Sequence, residues 1–240
     1  MQQRQRPGPR RALTEEEILD AALALVDAGG AEAASIRRIA AAVGVAPNAV
    51  YTYFPDKAAV ERALVERLLG EVDHATAVAS RAEAGPGAAE AAGRGDWRVG
   101  VELLALDLRR RLVAHPGVVP LLVGGPMEGP NALFLGERLL DLMAAGGLEP
   151  AVAARGAYLV MVYVLGAIAL EVADAPRAAA LPPEAERITA RRTTLGRVPG
   201  ERFPRAAAAA GVMATWVGTE QYLWGLRRVL DGLERSREIE

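Results

Sequence analysis

The stretch SIRRIAAAVGVAPNAVYTYFPDK, residues 35–57, leaves the folding chain few choices. Ala40 is followed four positions on by Gly44, and Ile39, Val43, Val45, Val50 and Tyr53 fall where two short helices joined by a tight turn would bury them. Helices that cross at close range need a small residue at the crossing, which Ala40 supplies. The turn between them needs a residue tolerant of positive φ, which Gly44 supplies. The spacing predicts a helix-turn-helix, with Ser35 capping a helix over Ile36 to Val43 and a second helix from about Pro47 to Tyr53. Two plain core helices joined by a glycine turn would satisfy the same apolar pattern, but they leave the polar residues of the stretch without a purpose.

Those polar residues have the chemistry of nucleic-acid contact. Pro47, Asn48 and Ala49 open the second helix, the end that meets base edges in a recognition helix. An Asn amide offers donor and acceptor together, and adenine is its usual partner. Arg37 lies in the first turn of the preceding helix, where a cation opposes the helix dipole, so it is better placed for guanine or phosphate than for stability. Ser35, Tyr51, Tyr53 and Lys57 can donate to phosphate oxygens. The chain holds three Phe, three Trp and five Tyr in 240 residues, yet Tyr51, Tyr53 and Phe54 fall within four positions. Lys57, the one lysine among 28 basic residues, follows directly. Each tyrosine combines a rigid ring with a hydroxyl, Tyr53 in position to serve core and contact alike, and Phe54 anchors the corner.

Along the rest of the chain apolar residues recur with period 3.6, which predicts an all-α protein. Thr14 and Glu17 form a capping box ahead of Ile18, Ala22 and Leu25, and Gly29-Gly30 closes that helix. A long helix follows from Pro55-Asp56 with Val60, Leu64, Leu68 and Val72 at i+4 spacing. Residues 79–96 read as an Ala/Gly-rich connector, and Trp97, Val101, Leu104, Leu108 and Leu112 form one stripe of the next helix. Further helices are expected at 131–145, 150–173, 206–214 and 219–235. The Pro/Arg-rich segment 174–205 reads as a loop. The predicted division is a disordered basic arm over 1–13, a helix-turn-helix DNA-binding domain over 14–57, and a larger helical bundle over 58–240 for ligand binding and dimerisation. Arg4, Arg6, Arg10 and Arg11 equip the arm for a minor groove.

Composition narrows the function classes. Cysteine is absent, which removes thiol chemistry and fits a reducing cytoplasm. Net charge is −2, so a nucleic-acid binder must concentrate its positive charge locally. The apolar run at 156–170 falls short of the roughly 20 residues a bilayer span requires, so no membrane partner is expected. His74 and His115 stand alone, and no metal site, cofactor or nucleophile–base pair stands out. The chain reads as a binding protein and not an enzyme.

ILDAALALVDAGG followed by SIRRIAAAVGVAPNAVYTYFPDKAAVERAL resembles the DNA-binding domain of the tetracycline-repressor (TetR) family. GDWRVGVELLALDLRRRLVAHPG, GPNALFLGERLLDLMAAGGLEP and GTEQYLWGLRRVLDGLER resemble the ligand-binding domain of its tetracycline-repressor subgroup. The resemblance implies a homodimeric transcriptional regulator, usually a repressor, released from a palindromic double-stranded DNA operator by a small-molecule effector. Mapped through the motif, Arg37, Pro47 and Asn48 contact bases. Ser35, Ala49 (through its backbone), Tyr51, Tyr53 and Lys57 contact phosphates.

Tetracycline binders of the family hold a magnesium–drug chelate with a histidine before a Leu-Gly turn. The matching segment here is PLLVGG, with Leu122 at the histidine position. The helping carboxylate falls at Ala169 or Leu170, with Glu171 adjacent, and polar drug contacts are replaced by Leu104 and Leu108. The expected effector is therefore largely apolar and non-chelating, oriented by Arg138, Tyr158 and Tyr163. The helix around Gly166 and the stripe Tyr222, Leu226, Val229 and Leu233 are expected to pair across a two-fold axis. A helical small-molecule carrier with a vestigial first domain, or an activator of the same fold, is the alternative. The donors retained on 35–57 argue against the carrier.

Overall fold

A computed structural model describes residues 13–72, 89–173 and 180–236, and for 89–96 and 236 the backbone only. The arm arginines and His74 lie outside that description. Every regular element among the described residues is helical.

The first domain is built by its caps. Helix α1, Glu15–Gly29, starts at the expected capping box: the Glu17 N–H donates to Thr14 Oγ1 at 3.2 Å and the Thr14 N–H to Glu17 Oε2 at 3.0 Å. Helix α2, Ile36–Ala42, is capped by Ser35, whose Oγ accepts the Arg38 N–H at 3.3 Å. Gly44 sits at φ 74° in the turn, a region closed to most side chains. Helix α3, Pro47–Tyr51, ends two residues earlier than the apolar pattern implied. Helix α4, Lys57–Gly70, is capped by Asp56, which accepts the Ala59 N–H at 2.7 Å.

Ile18, Ala22, Val26, Ile39, Ala40, Val50 and Phe54 close one small core. Burying each large aliphatic side chain here contributes about 1.5–3 kcal/mol before entropy is counted. Val43 and Val45 are only half-buried, and Tyr53 is exposed. Val60, Leu64 and Leu68 of α4 belong to the same core, so the first unit extends beyond residue 57. Leu69 and Val72, on the next face, enter the second core.

The second domain is a bundle of α5 (Ala89–Ala114), α6 (Val119–Gly124), α7 (Pro130–Ala145), α8 (Pro150–Ala173), α9 (Glu184–Leu195), α10 (Pro204–Ala214) and α11 (Thr219–Ser236). Trp97, Val101, Leu104, Leu108 and Leu112 form the buried stripe of α5, and Val160, Val164 and Ile168 face it from α8. Helix α9 occupies the segment expected to be a loop. Helix α8 is 24 residues long and meets the length and apolarity of a bilayer span, unlike the shorter run counted in the sequence. Its far end, however, is anchored in protein by charge.

That anchor is Glu171, 3% exposed. It accepts a bidentate pair from Arg109 of α5, Nε at 2.7 Å and Nη2 at 2.8 Å, and a third bond from Arg187 Nη2 of α9 at 2.7 Å. Arg109 continues to Thr219 Oγ1 at 2.8 Å and Glu184 Oε2 at 3.1 Å, and stacks over the Tyr222 ring at 5.4 Å. Glu184 in turn accepts the hydroxyl and the backbone N–H of Thr219, at 2.7 and 3.0 Å, capping α11 from α9. Burial pushes the Tyr222 phenol far above its ordinary value, keeping it a donor to the Ala105 carbonyl at 2.9 Å. Burial also raises Glu184, but Thr219 and Arg109 outweigh it and hold the carboxyl below its usual range.

Removing one member of a buried ion pair strands the others, so Glu171→Ala should lose about 3–5 kcal/mol in urea unfolding. Glu184 stabilises the fold fully above the ordinary carboxylate pKa of about 4.3, and that contribution fades as pH falls through the lower folded value. Glu184→Gln should therefore be less stable than the parent at pH 7, with the gap closing below about pH 4 in pH-dependent unfolding.

Candidate nucleic-acid interface and the cavity behind it

Helices α2 and α3 present one outward face. Arg37, Arg38, Pro47, Asn48, Tyr51 and Thr52 are all exposed on it. Asn48 is exposed and accepts the Thr52 hydroxyl at 3.3 Å only through its backbone carbonyl, so its side-chain amide keeps donor and acceptor available. Tyr51 is 51% exposed. Ser35 and Ala49 are half-buried at the edges, the hydroxyl proton of Ser35 remaining available because its oxygen is the accepting partner in the cap.

Two of the expected contact residues have partners within the chain. The Tyr53 hydroxyl donates to the Leu13 carbonyl, which withdraws its single proton from phosphate contact and pins the start of α1 instead. Lys57 is held by Glu61 at 3.1 Å and reaches Glu32 at 3.7 Å. These acids offset a cation in the first turn of a helix, where the dipole disfavours it.

In the second domain, α5, α7 and α8 line a cavity of about 450 Å³. Leu104 and Leu108 line it from α5, Leu139 from α7, Val160 and Tyr158 from α8, and Leu69 closes it from α4. Leu104, Leu108 and Tyr158 thus stand where a guest would touch them. The other three expected ligand residues do not. Leu122 is buried in the core away from the cavity wall. Arg138 follows the lining residue Glu137 but is not itself among the lining residues. Tyr163 donates to the Tyr222 carbonyl at 2.9 Å and fills the space a side chain at Gly225 would need. No cluster of three metal-ligating side chains occurs among the described residues, and Glu171 is committed to its arginines.

The expected dimer residues divide in the same way. Tyr222, Leu226 and Leu233 are buried inside one chain against α5 and α8, and Val229 is half-buried. Their stripe is the bundle's own core, not a surface for a second copy. What α8 and α11 leave exposed is a different face: Leu159, Val162, Gly166 and Leu170 on α8, and Trp224 on α11.

Two junctions connect cavity to reader. Helix α7 begins Gly129-Pro130 with no capping side chain of its own. Glu66 of α4 caps it, accepting the Asn131 N–H at 2.7 Å and the Ala132 N–H at 3.2 Å, while Asn131 Nδ2 donates to the Glu66 carbonyl at 2.8 Å. At the end of α5, His115 Nδ1 lies 2.9 Å from Asp27 Oδ2 of α1, and Val118 is inserted into the first core. Gly117 permits that insertion, since a Cβ there would lie 2.6 Å from the Val26 carbonyl oxygen. Gly117→Ala should cost about 1–3 kcal/mol, read as a lower unfolding midpoint with faster amide exchange in α1.

The comparisons with known proteins follow the two domains. Residues 18–64 match the model of bacterial regulatory proteins of the tetR family, and residues 89–237 match that of the tetracyclin repressor-like C-terminal domain. The HTH-type transcriptional repressor DrrR1 of Streptomyces coeruleorubidus is 27% identical over 236 residues, 95% of this chain and 79% of that one. Among solved structures, the TetR family protein ActR of Streptomyces coelicolor in complex with actinorhodin superposes with a TM-score of 0.72 over 95% of this chain and 99% of that one, at 23% identity. A possible TetR family transcriptional regulator from Streptomyces coelicolor A3(2) does so at 0.70 and 28% identity, over 93% and 100%. With both domains matched in order and the larger match spanning more than half its length, the chain belongs to the TetR family of transcriptional regulators, its C-terminal domain being the ligand-binding one.

Proposed function

We propose that the chain is a homodimeric cytoplasmic repressor, released from a palindromic operator by a largely apolar, non-chelating effector. The observation that carries this reading is one helix, α4, which stands beside the donor-bearing face at its first turn and closes the apolar cavity with Leu69 at its last. DrrR1 is named a repressor, and ActR holds actinorhodin in its solved complex; both support a guest-released repressor here.

Arg37, Pro47 and Asn48 read bases. Ser35, the Ala49 backbone, Tyr51 and Lys57 hold phosphates. Tyr53 holds Leu13 at the start of α1. The exposed stripe of α8 with Trp224 of α11 is the two-fold face, because its spacing of three and four residues places Leu159, Val162, Gly166 and Leu170 on one line. Two readers so paired would address half-sites about one helical turn, roughly 34–36 Å, apart. A guest that displaces α7 would pull Glu66, and with it α4, changing that spacing. Release requires that the guest bind the DNA-free arrangement more tightly, since only differential affinity shifts the equilibrium.

Selection from randomised duplexes followed by titration tests the reading. Asn48→Ala should lose about 1–3 kcal/mol on the selected site and relax one base position. Lys57→Ala should weaken all sequences alike and lower the salt slope by about one. No affinity for any duplex by the intact chain would refute the regulator's DNA site. In sedimentation, Val162→Arg should yield monomers with their helicity intact, whereas Leu226→Arg should unfold the bundle; a dimeric Val162→Arg would exclude this face.

A further inference from the structure

Among the described residues the cavity wall is apolar apart from two side chains, and they are not equivalent. Tyr158 brings a phenol from α8 and Glu137 brings a carboxylate from α7. Among the described residues no lysine, arginine or histidine lines the cavity. One turn to either side of Glu137 on α7 stand Leu133, Phe134, Leu140 and Asp141, the last adding a second negative charge, while Arg138, the one cation of that helix, follows Glu137 directly but is not among the lining residues. No ion pair to Glu137 occurs among the described residues, although most carboxylates that face other helices here are paired: Glu66 with amides, Glu102 with Arg227, Asp231 with Arg98.

An apolar guest without charge would cover this carboxylate and offer nothing for the water it loses. An anionic guest would add repulsion. A guest with an ammonium turns the same group into an attraction, strengthened by the leucine walls that exclude water and by the face of Tyr158. We infer that the effector is cationic: a compact apolar body carrying a protonated amine that meets Glu137. This rests on the cavity being the effector site and adds the charge of the guest to that reading.

Three fluorescent probes that share one ring system and differ in charge separate the two claims. Full-length protein is titrated at pH 7 with 1-pyrenemethylamine, 1-pyrenemethanol and 1-pyrenecarboxylate. The amine should bind about tenfold more tightly than the alcohol, and the carboxylate most weakly. Glu137 is exposed, so Glu137→Gln should fold normally; it should bring the amine to within about twofold of the alcohol while leaving the alcohol's affinity in place. Asp141→Asn, off the wall, should preserve the preference. A Cβ at Gly136 on the wall meets open space, so Gly136→Leu should be accommodated and should weaken all three probes. Equal binding of amine and alcohol, or a preference that survives Glu137→Gln, would overturn the inference while leaving the apolar cavity as effector site. Binding of no probe, or binding indifferent to Gly136→Leu, would overturn both.

Discussion

Helix α4 must bury two faces at once, and much of the molecule is arranged around that requirement. Val60, Leu64 and Leu68 face the small core, while Leu69 faces the large one. A fourteen-residue helix has too little surface to satisfy either domain alone, so each supplies further contacts. Glu66 caps α7, Val118 plugs the first core, and His115 meets Asp27. Reader and bundle are thereby joined by packing and by helix-end electrostatics, not by chain continuity alone.

The helical elements whose stability is local were legible in the sequence. Thr14, Ser35 and Asp56 cap within three residues of themselves, and Gly44 adopts the positive φ its turn demands. The α5 stripe was legible too, because five buried residues keep strict helical spacing. Helix α9 was not. EAERITARRTTL lacks an apolar face and sits between prolines, and Arg187 and Glu184 dock it onto Glu171 and Arg109 of other helices. The Glu66 cap was hidden for the same reason: the bare Gly129-Pro130 helix start signals a missing partner without saying where it lies.

Periodicity identifies a face but not its occupant, and that distinction explains the site residues that moved. Tyr222, Leu226 and Leu233 do form an apolar stripe, but their own α5 and α8 cover it. Tyr163 looked like a polar group among leucines awaiting a guest, whereas its hydroxyl completes a bond to α11. Leu104 and Leu108 line the cavity because they lie on the α5 stripe where the bundle leaves a gap. The buried trio Arg109, Glu171 and Arg187 had no sequence signature, since each is an ordinary charged residue until the fold brings them together.

That trio sets a division of labour within the bundle. The ends of α5 and α8 and the starts of α9 and α11 are registered by directional, charge-assisted bonds, while the cavity wall is built mostly from apolar side chains, with Glu137 and Tyr158 as its polar groups. Wall residues can therefore change size or polarity without disturbing helix register, because register is determined elsewhere. A lineage of such proteins can diversify its guests by drift in the wall alone, each intermediate remaining folded. The charged anchor makes the scaffold evolvable at the point where recognition must change most.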